Sequence, residues 1–364
     1  MSSRTIGSLC KNTSENLRQA KSPYSRNTKR FTKSVSQHSA PQCQLEMQQT
    51  EKSEGDQDSQ ATSSDHYGSE SNVKSQTAFM KMFKQFKRLS PPPDLSTVID
   101  TRIFPSTSSD LKSELLSENV IRKYEPDKDT LEFLGIKPLK DWRICTLKDR
   151  EGLYIIPDVI TVNGTALWMQ RIEEYANPPN VNNMTAHGTA PEKEVLKSAG
   201  KSLRWVTLGI DYDWTKKIYP ETGRQFPKEL AEISALVCRL LSLSEVIGDA
   251  AIVNFYPPKS TLSAHIDESE RATAPLVSLT IGQPAVYLTG GTDLSDPPVP
   301  IFLRNGDLLV MSGEQRWVYH AVPKVLANTV QLDLPENIDE FHKSYLKNNR
   351  VNITIRQVNL NDKS

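Results

Sequence analysis

From Ala250 onward the chain breaks into short β-forming runs parted by Gly, Pro and Asp turns, at 251–256, 276–281, 284–288, 299–303, 307–311 and 350–358. This recurrence suits a jelly roll or a related double-stranded β-helix, whose mouth is a natural ligand pocket. The last run, Arg350-Val-Asn-Ile-Thr-Ile-Arg356, alternates polar and apolar residues with period two. Arg350, Asn352, Thr354 and Arg356 therefore share one strand face, and Val351, Ile353 and Ile355 share the other. An exposed edge strand would show the same alternation. Two arginines on one face also suit a small dicarboxylate, because the planar guanidinium fork binds carboxylates bidentately.

A second pattern lies in Asn254-Phe-Tyr-Pro-Pro-Lys-Ser-Thr-Leu-Ser-Ala-His-Ile-Asp267. His265 and Asp267 are two residues apart, so on a strand both side chains point to one face. An imidazole nitrogen beside a carboxylate oxygen suits a divalent transition metal. Two His and one carboxylate with open positions form the triad of non-haem Fe(II) oxygenases. The chain has six His, at 38, 66, 187, 265, 320 and 342. His320 follows the apolar run Asp307-Leu-Leu-Val-Met-Ser-Gly313 and is the best-placed third ligand. His-x-Asp alone is commonplace, but a metal triad beside a dicarboxylate clamp describes an iron and 2-oxoglutarate site.

Taken in order, His265-x-Asp267, His320 and Arg350-x-Asn-x-Thr-x-Arg356, preceded by Asn254-x-Tyr256, resemble the AlkB family of Fe(II)/2-oxoglutarate dioxygenases. Leu203-Arg-Trp-Val-Thr-Leu-Gly209, Gly282-Gln-Pro-Ala-Val-Tyr-Leu-Thr-Gly-Gly291, Met311-Ser-Gly-x-x-Arg316 and His320-Ala-Val-Pro323 narrow the likeness to the AlkB homolog 1 subfamily. It covers roughly residues 78–358. The resemblance implies Fe(2+) held by His265, Asp267 and His320, with Asp267 also counted as catalytic, and 2-oxoglutarate and O2 as cosubstrates. It further implies that Arg350 pairs with the distal carboxylate of 2-oxoglutarate and that Arg356 lies near its C1 end. Asn254, Tyr256 and Asn352 would supply hydrogen bonds there.

The expected architecture is α+β: a double-stranded β-helix (jelly-roll) dioxygenase core at 203–360, a helical N-terminal extension at 78–202 packed on it, and a disordered tail at 1–77. A hydrophobic content of 37% is low for a wholly globular chain of 364 residues, which supports the tail. Residues 1–45 are rich in Ser, Thr, Lys and Arg with one acid, Glu15, a composition shared by mitochondrial transit peptides and disordered tails. The expected location is intracellular, in the mitochondrion and/or nucleus, with the cytoplasm also open. Cys10, Cys43, Cys145 and Cys238 lack any C-x-x-C spacing, so neither a disulfide framework nor a zinc knuckle is indicated. No apolar run reaches the length of a membrane span.

Phe79, Met82, Phe83 and Phe86 recur at helical spacing, with Lys81, Lys84, Lys87 and Arg88 alongside, until Pro91-Pro-Pro93. Such a helix either docks on the core or meets a membrane surface or RNA phosphates; docking is the simpler reading. Further helices are expected at 166–175 and within 226–243, a short strand at 152–157, and a polar loop at 180–202. Residues 94–130 are expected to wrap the core.

Arg204-Trp-Val-Thr-Leu-Gly-Ile-Asp-Tyr-Asp-Trp214 reads as a substrate flap. Tyr212 and Trp214 offer flat surfaces on which an unpaired base can stack, and enzymes that modify a base hold it outside its helix. Trp205 is the aromatic expected to be ordinary core. Lys216 and Lys217 fit a solvated turn or phosphate contacts. Glu268 and Glu270 repel phosphate and suit a base edge instead, so Glu270 joins the candidate substrate contacts. Lys plus Arg and Asp plus Glu both number 44, so global charge does not advertise nucleic acid.

The resulting expectation is oxidation of methyl groups on nucleic-acid bases, in tRNA and in methylated DNA, with release of succinate and CO2. A protein or histone oxygenase would use the same iron centre, and a non-catalytic RNA-binding protein would carry a vestigial one. Intact triad and arginine residues argue against the last.

Overall fold

The structure is a computed structural model that describes residues 76–104 and 108–360. The tail and transit-peptide expectations lie outside those residues. The N-terminal half contributes α1 (Ala78–Lys87), β1 (Leu111–Leu115), α2 (Glu118–Tyr124), α3 (Lys128–Leu134), β2 (Arg143–Leu147), β3 (Leu153–Ile156), α4 (Val162–Ala176), β4 (Val181–Asn182) and α5 (Val195–Ala199). Then come β5 (Trp205–Gly209), α6 (Lys228–Leu240), β6 (Ala250–Tyr256), β7 (Leu262–His265), β8 (Leu276–Gly282) and β9 (Ala285–Thr289). The chain closes with β10 (Val299–Leu303), β11 (Leu308–Met311), β12 (His320–Val325), α7 (Glu340–Asn348) and β13 (Arg350–Arg356).

Two antiparallel sheets form the core. The larger has nine strands in the order β1-β2-β3-β11-β8-β13-β6-β5-β4, and the smaller has four in the order β10-β9-β12-β7. Each inner strand alternates between two apolar environments, as period-two geometry requires. On the outer face of the large sheet, Val253, Phe255, Leu279, Val351, Ile353 and Ile355 pack with Trp168, Met169 and Ile172 of α4 and with Leu230 and Ile233 of α6. Between the sheets, Tyr256, Leu276, Tyr287, Leu309 and Met311 share a second cluster. The jelly-roll expectation agrees with this arrangement.

The expected division at residue 203 is not a structural boundary. The stretch 78–202 donates β1–β4 to the large sheet, where β3 pairs with β11 and β4 pairs with β5. The expected loop at 180–202 likewise carries β4 and α5, whose Val195 and Leu196 are buried. Two apolar residues inside a polar run were too weak a signal to mark an element.

α1 begins where the Thr77 side chain caps the backbone N–H of Met80 at 3.4 Å. Its Phe79, Phe83 and Phe86 are buried against Val286, Leu288 and Ala321 on the outer face of the small sheet. Docking on the core is therefore the correct reading of this helix, with Met82 only half-buried.

Candidate iron and 2-oxoglutarate site

β7 ends on His265 and β12 begins on His320, and the two residues face each other in the antiparallel register. Their rings lie 4.3 Å apart between centroids. Asp267 follows the end of β7, so the irregular segment beyond the strand, not the strand face expected from the spacing, delivers its carboxylate. His265 Nε2 is 3.9 Å from Asp267 Oδ1, and His320 Nε2 is 3.8 Å from Asp267 Oδ2. Among the described residues this is the group of His, Cys, Asp and Glu side chains arranged to hold a metal ion, its donor atoms all within 4.8 Å of one another.

The donor set fits iron. His265 Nδ1 lies 2.9 Å from the Ser263 carbonyl, and His320 Nδ1 lies 3.3 Å from the Val318 carbonyl. A carbonyl only accepts, so each Nδ1 carries the proton, and in the neutral ring each Nε2 presents a lone pair. Burial, reinforced by the neighbouring His265 ring, pushes His320 down to about 4, which favours its neutral form. Burial alone would raise Asp267, but Arg356, His320 and His265 outweigh it and hold the carboxyl well below the usual carboxylate range. One carboxylate and a neutral His320 imidazole result, with His265 Nε2 facing the same carboxylate.

All of β13 is buried, so its two faces meet different interiors, not solvent on one side. Its polar face is organised around Asn352. Ser278 Oγ donates to Asn352 Oδ1 at 2.9 Å, and Asn352 Nδ2 donates to Thr354 Oγ1 at 2.9 Å. Arg350 Nη2 donates to the same Asn352 oxygen at 3.0 Å and to Thr280 Oγ1 at 3.1 Å. The guanidinium also lies 4.9 Å from the centroid of Tyr256. Asn254 and Tyr256 face Asn352 and Arg350 across the β6–β13 register.

Arg350 is 1% exposed, yet its Nε and Nη1 have no hydrogen-bond partner, and no ion pair reaches it among the described residues. A buried cation without a counter-charge is costly. An incoming carboxylate would supply what is missing, so the residues fit 2-oxoglutarate. Gly282, opposite Arg350 in the β8–β13 register, has φ +91° and passes Asn349 so closely that a Cβ would stand 2.4 Å from its carbonyl oxygen. That close approach sets where Arg350 enters the strand.

Arg356 is differently placed. Its Nη2 lies 3.1 Å from Asp267 Oδ2, its Nε lies 3.1 Å from Glu270 Oε1 without hydrogen-bond alignment, and its Nη1 donates to Tyr219 Oη at 3.1 Å. It thereby fixes one oxygen of Asp267 and with it the orientation of the carboxylate. Glu270 must be reassigned. Its side chain is 2% exposed, held by Arg316 Nη2 at 2.9 Å on one side and Arg356 on the other, and is not available to a base edge. The Met311-Ser-Gly-x-x-Arg316 motif was the one signal for this buried network. Tyr287 was also missed: its ring lies 5.9 Å from that of His320, and its hydroxyl donates to Met311 Sδ at 3.4 Å.

The flap differs from its expected form. β5 stops at Gly209, so Tyr212 and Trp214 lie in the loop beyond it and do not share a strand face. Their rings meet edge to face at 4.7 Å and 87°. Trp205, expected as core, is only half-buried and packs 4.7 Å from Trp214. Lys216 and Lys217 are exposed, with Lys216 Nζ 3.5 Å from Asp213, and Glu268 is exposed as well.

A jelly-roll core with a His-Asp-His cluster beside a buried, unpaired arginine defines an iron-dependent oxygenase class. The sequence profile of the 2OG-Fe(II) oxygenase superfamily matches residues 152–356, more than half of the chain, and the protein belongs to that family. It is an enzyme that uses Fe(2+), 2-oxoglutarate and O2. Nucleic acid dioxygenase ALKBH1 of Mus musculus is 31% identical over 328 residues, covering 77% of this chain and 84% of that protein. The tRNA demethylase abh1 of Schizosaccharomyces pombe is 31% identical over 307 residues, covering 79% and 97%. DNA N(6)-methyladenine demethylase ALKBH1A of Arabidopsis thaliana is 26% identical over 328 residues, covering 76% and 90%.

Proposed function

We propose that this enzyme oxidises methyl groups on nucleic-acid bases, with tRNA as the first substrate class and methylated DNA as the second. The observation that carries the reading is the half-buried cluster of Trp205, Tyr212 and Trp214, joined through Tyr219 to the arginine that pins Asp267. Flat aromatic surfaces beside an oxidising centre suit an unstacked base. The relatives from mouse, fission yeast and Arabidopsis carry names that specify nucleic acid, tRNA and DNA respectively.

In this reading His265 Nε2, the Asp267 carboxylate and His320 Nε2 would hold Fe(II), and Arg350 would receive the distal carboxylate of 2-oxoglutarate. Asn352 orients that guanidinium, Tyr256 lies under it, and Asn254 stands opposite Asn352. Arg356, bound to Asp267, would lie near the C1 end. Bound iron, 2-oxoglutarate and O2 together supply C–H hydroxylation, with release of succinate and CO2. The remaining work belongs to the chain: Tyr212 and Trp214 place the methyl group, and the apolar interior around Leu276 and Tyr287 excludes water. A hydroxymethyl on a ring nitrogen collapses to formaldehyde, giving demethylation, whereas one on a ring carbon persists. Substrate placement therefore decides the product.

The test is a mass-spectrometric comparison of modified nucleosides in tRNA before and after treatment with the enzyme. Loss of a methylated nucleoside, or gain of its hydroxymethyl form, is expected. Unchanged tRNA and DNA together with oxidation of a protein substrate would favour a protein oxygenase. We also propose mitochondrial and/or nuclear residence from the basic, acid-poor stretch 1–45, to be checked by imaging the tagged full chain.

A further inference from the structure

The flap and the arginine strand meet at Tyr219. This residue is 3% exposed, and its hydroxyl accepts a hydrogen bond from Arg356 Nη1 at 3.1 Å. Its ring packs 4.9 Å from Tyr212, Tyr212 meets Trp214 at 4.7 Å, and Trp214 meets Trp205 at 4.7 Å. A continuous run of aromatic contacts thus reaches from the flap to the guanidinium that lies against Asp267. The backbone at Tyr219 is braced. Arg271 donates to the Tyr219 carbonyl at 2.8 Å and to the Pro220 carbonyl at 3.0 Å. A displaced Tyr212 therefore moves the Tyr219 ring against Arg356 more readily than it moves the backbone outward.

We propose that Tyr219 is a positioning residue that couples occupancy of the flap to the binding of 2-oxoglutarate. The inference rests on the nucleic-acid reading of the flap given above. A base seated against Tyr212 or Trp214 presses on Tyr219, which sets the angle of Arg356. That arginine in turn sets the orientation of the Asp267 carboxylate and would lie near the C1 end of the cosubstrate. Tyr219 touches neither substrate nor cosubstrate in this scheme and acts through Arg356. Coupling of this kind is reciprocal: whatever factor the base adds to 2-oxoglutarate affinity, 2-oxoglutarate adds to the affinity for the base.

The test uses the full chain loaded with Mn(II), which supports cosubstrate binding without turnover. Binding of 2-oxoglutarate is followed by calorimetry, with and without a short single-stranded RNA carrying one methylated adenine. The wild type is expected to bind 2-oxoglutarate about fivefold or more tightly when the RNA is present. Tyr219→Phe keeps the ring and removes only the acceptor, and should lose most of that ratio. A second variant, Arg271→Ala, frees the brace without touching Arg356 and should lower the ratio as well. A merely structural role would lower the melting temperature of both variants and leave the ratio alone. An RNA-induced ratio equal to that of the wild type in both variants overturns the coupling. Failure of the wild type to bind RNA at all would instead overturn the substrate reading, and the coupling with it.

Discussion

His320 stands opposite His265 across the β7–β12 pair, and each ring donates through Nδ1 to a carbonyl two residues before it. The pairing aims both Nε2 atoms at the same carboxylate, Asp267. Strand register, not sequence spacing, makes these two rings a ligand pair.

Each of His265→Ala, Asp267→Ala and His320→Ala is expected to abolish turnover, because each removes one of three protein ligands. Zinc or cobalt should occupy the intact site without supporting oxidation, since the open positions and donors suit several divalent metals. The measurement is iron-dependent succinate formation. Its survival in all three variants would place the metal elsewhere.

Arg350→Ala removes the cation that awaits the distal carboxylate. Loss of a buried charged partner costs on the order of 2–5 kcal/mol. The apparent requirement for 2-oxoglutarate should therefore rise more than about tenfold, while the iron affinity of the apoprotein stays unchanged. Titration of succinate production against 2-oxoglutarate reads this directly. Unaltered saturation would point to Arg356 as the clamp.

Tyr212→Ala and Trp214→Ala should separate base stacking from iron chemistry. Base–aromatic stacking is worth roughly 1–3 kcal/mol, so nucleic-acid turnover should fall about tenfold. Slow uncoupled conversion of 2-oxoglutarate should continue. A parallel loss of both rates with a lowered melting temperature would make the ring structural. Trp214 is the more exposed to that outcome, because its indole Nε1 is already buried without a partner.

Phe83→Ala tests the docking of α1. The ring is 5% exposed in the cluster beneath the small sheet, and deleting a buried phenyl costs about 3–5 kcal/mol. Lys84→Ala, on the exposed side of the same helix, should change stability by less than about 0.5 kcal/mol. Denaturant unfolding of both variants checks the contrast, and equal midpoints would mean that α1 is not part of the folded core.

Cys145 and Cys238 should resist alkylation in the native protein. Both thiols are buried, and burial raises Cys145 above the ordinary thiol range and pushes Cys238 up to about 12. Only the thiolate reacts, so at pH 8 both thiols stay almost wholly in the unreactive protonated form. Mass spectrometry after iodoacetamide treatment should find both unmodified until the chain is denatured. Rapid native labelling of Cys238 would contradict its packing.

Residue order alone determined the parts of this protein that repeat locally. The alternation of Arg350–Arg356 named both faces of β13, the spacing of Phe79, Phe83 and Phe86 named the buried side of α1, and the motifs around His265, Asp267 and His320 named the site. Period and spacing are short-range properties, and they survive folding unchanged. Tertiary structure decided what those faces meet. β7 and β12 were not legible as strands: Leu-Ser-Ala-His lacks a β-branched run, and Pro323 interrupts β12, tolerated because the register shifts between Ala321 and Lys324. The pairing of Glu270 with Arg316 and Arg356, the link from Tyr219 to Arg356, and the entry of β1–β4 into the large sheet all join residues far apart in sequence. Such pairings are selected by the cost of burying a charge or a strand edge without a partner, and that cost arises only when the rest of the fold has excluded water.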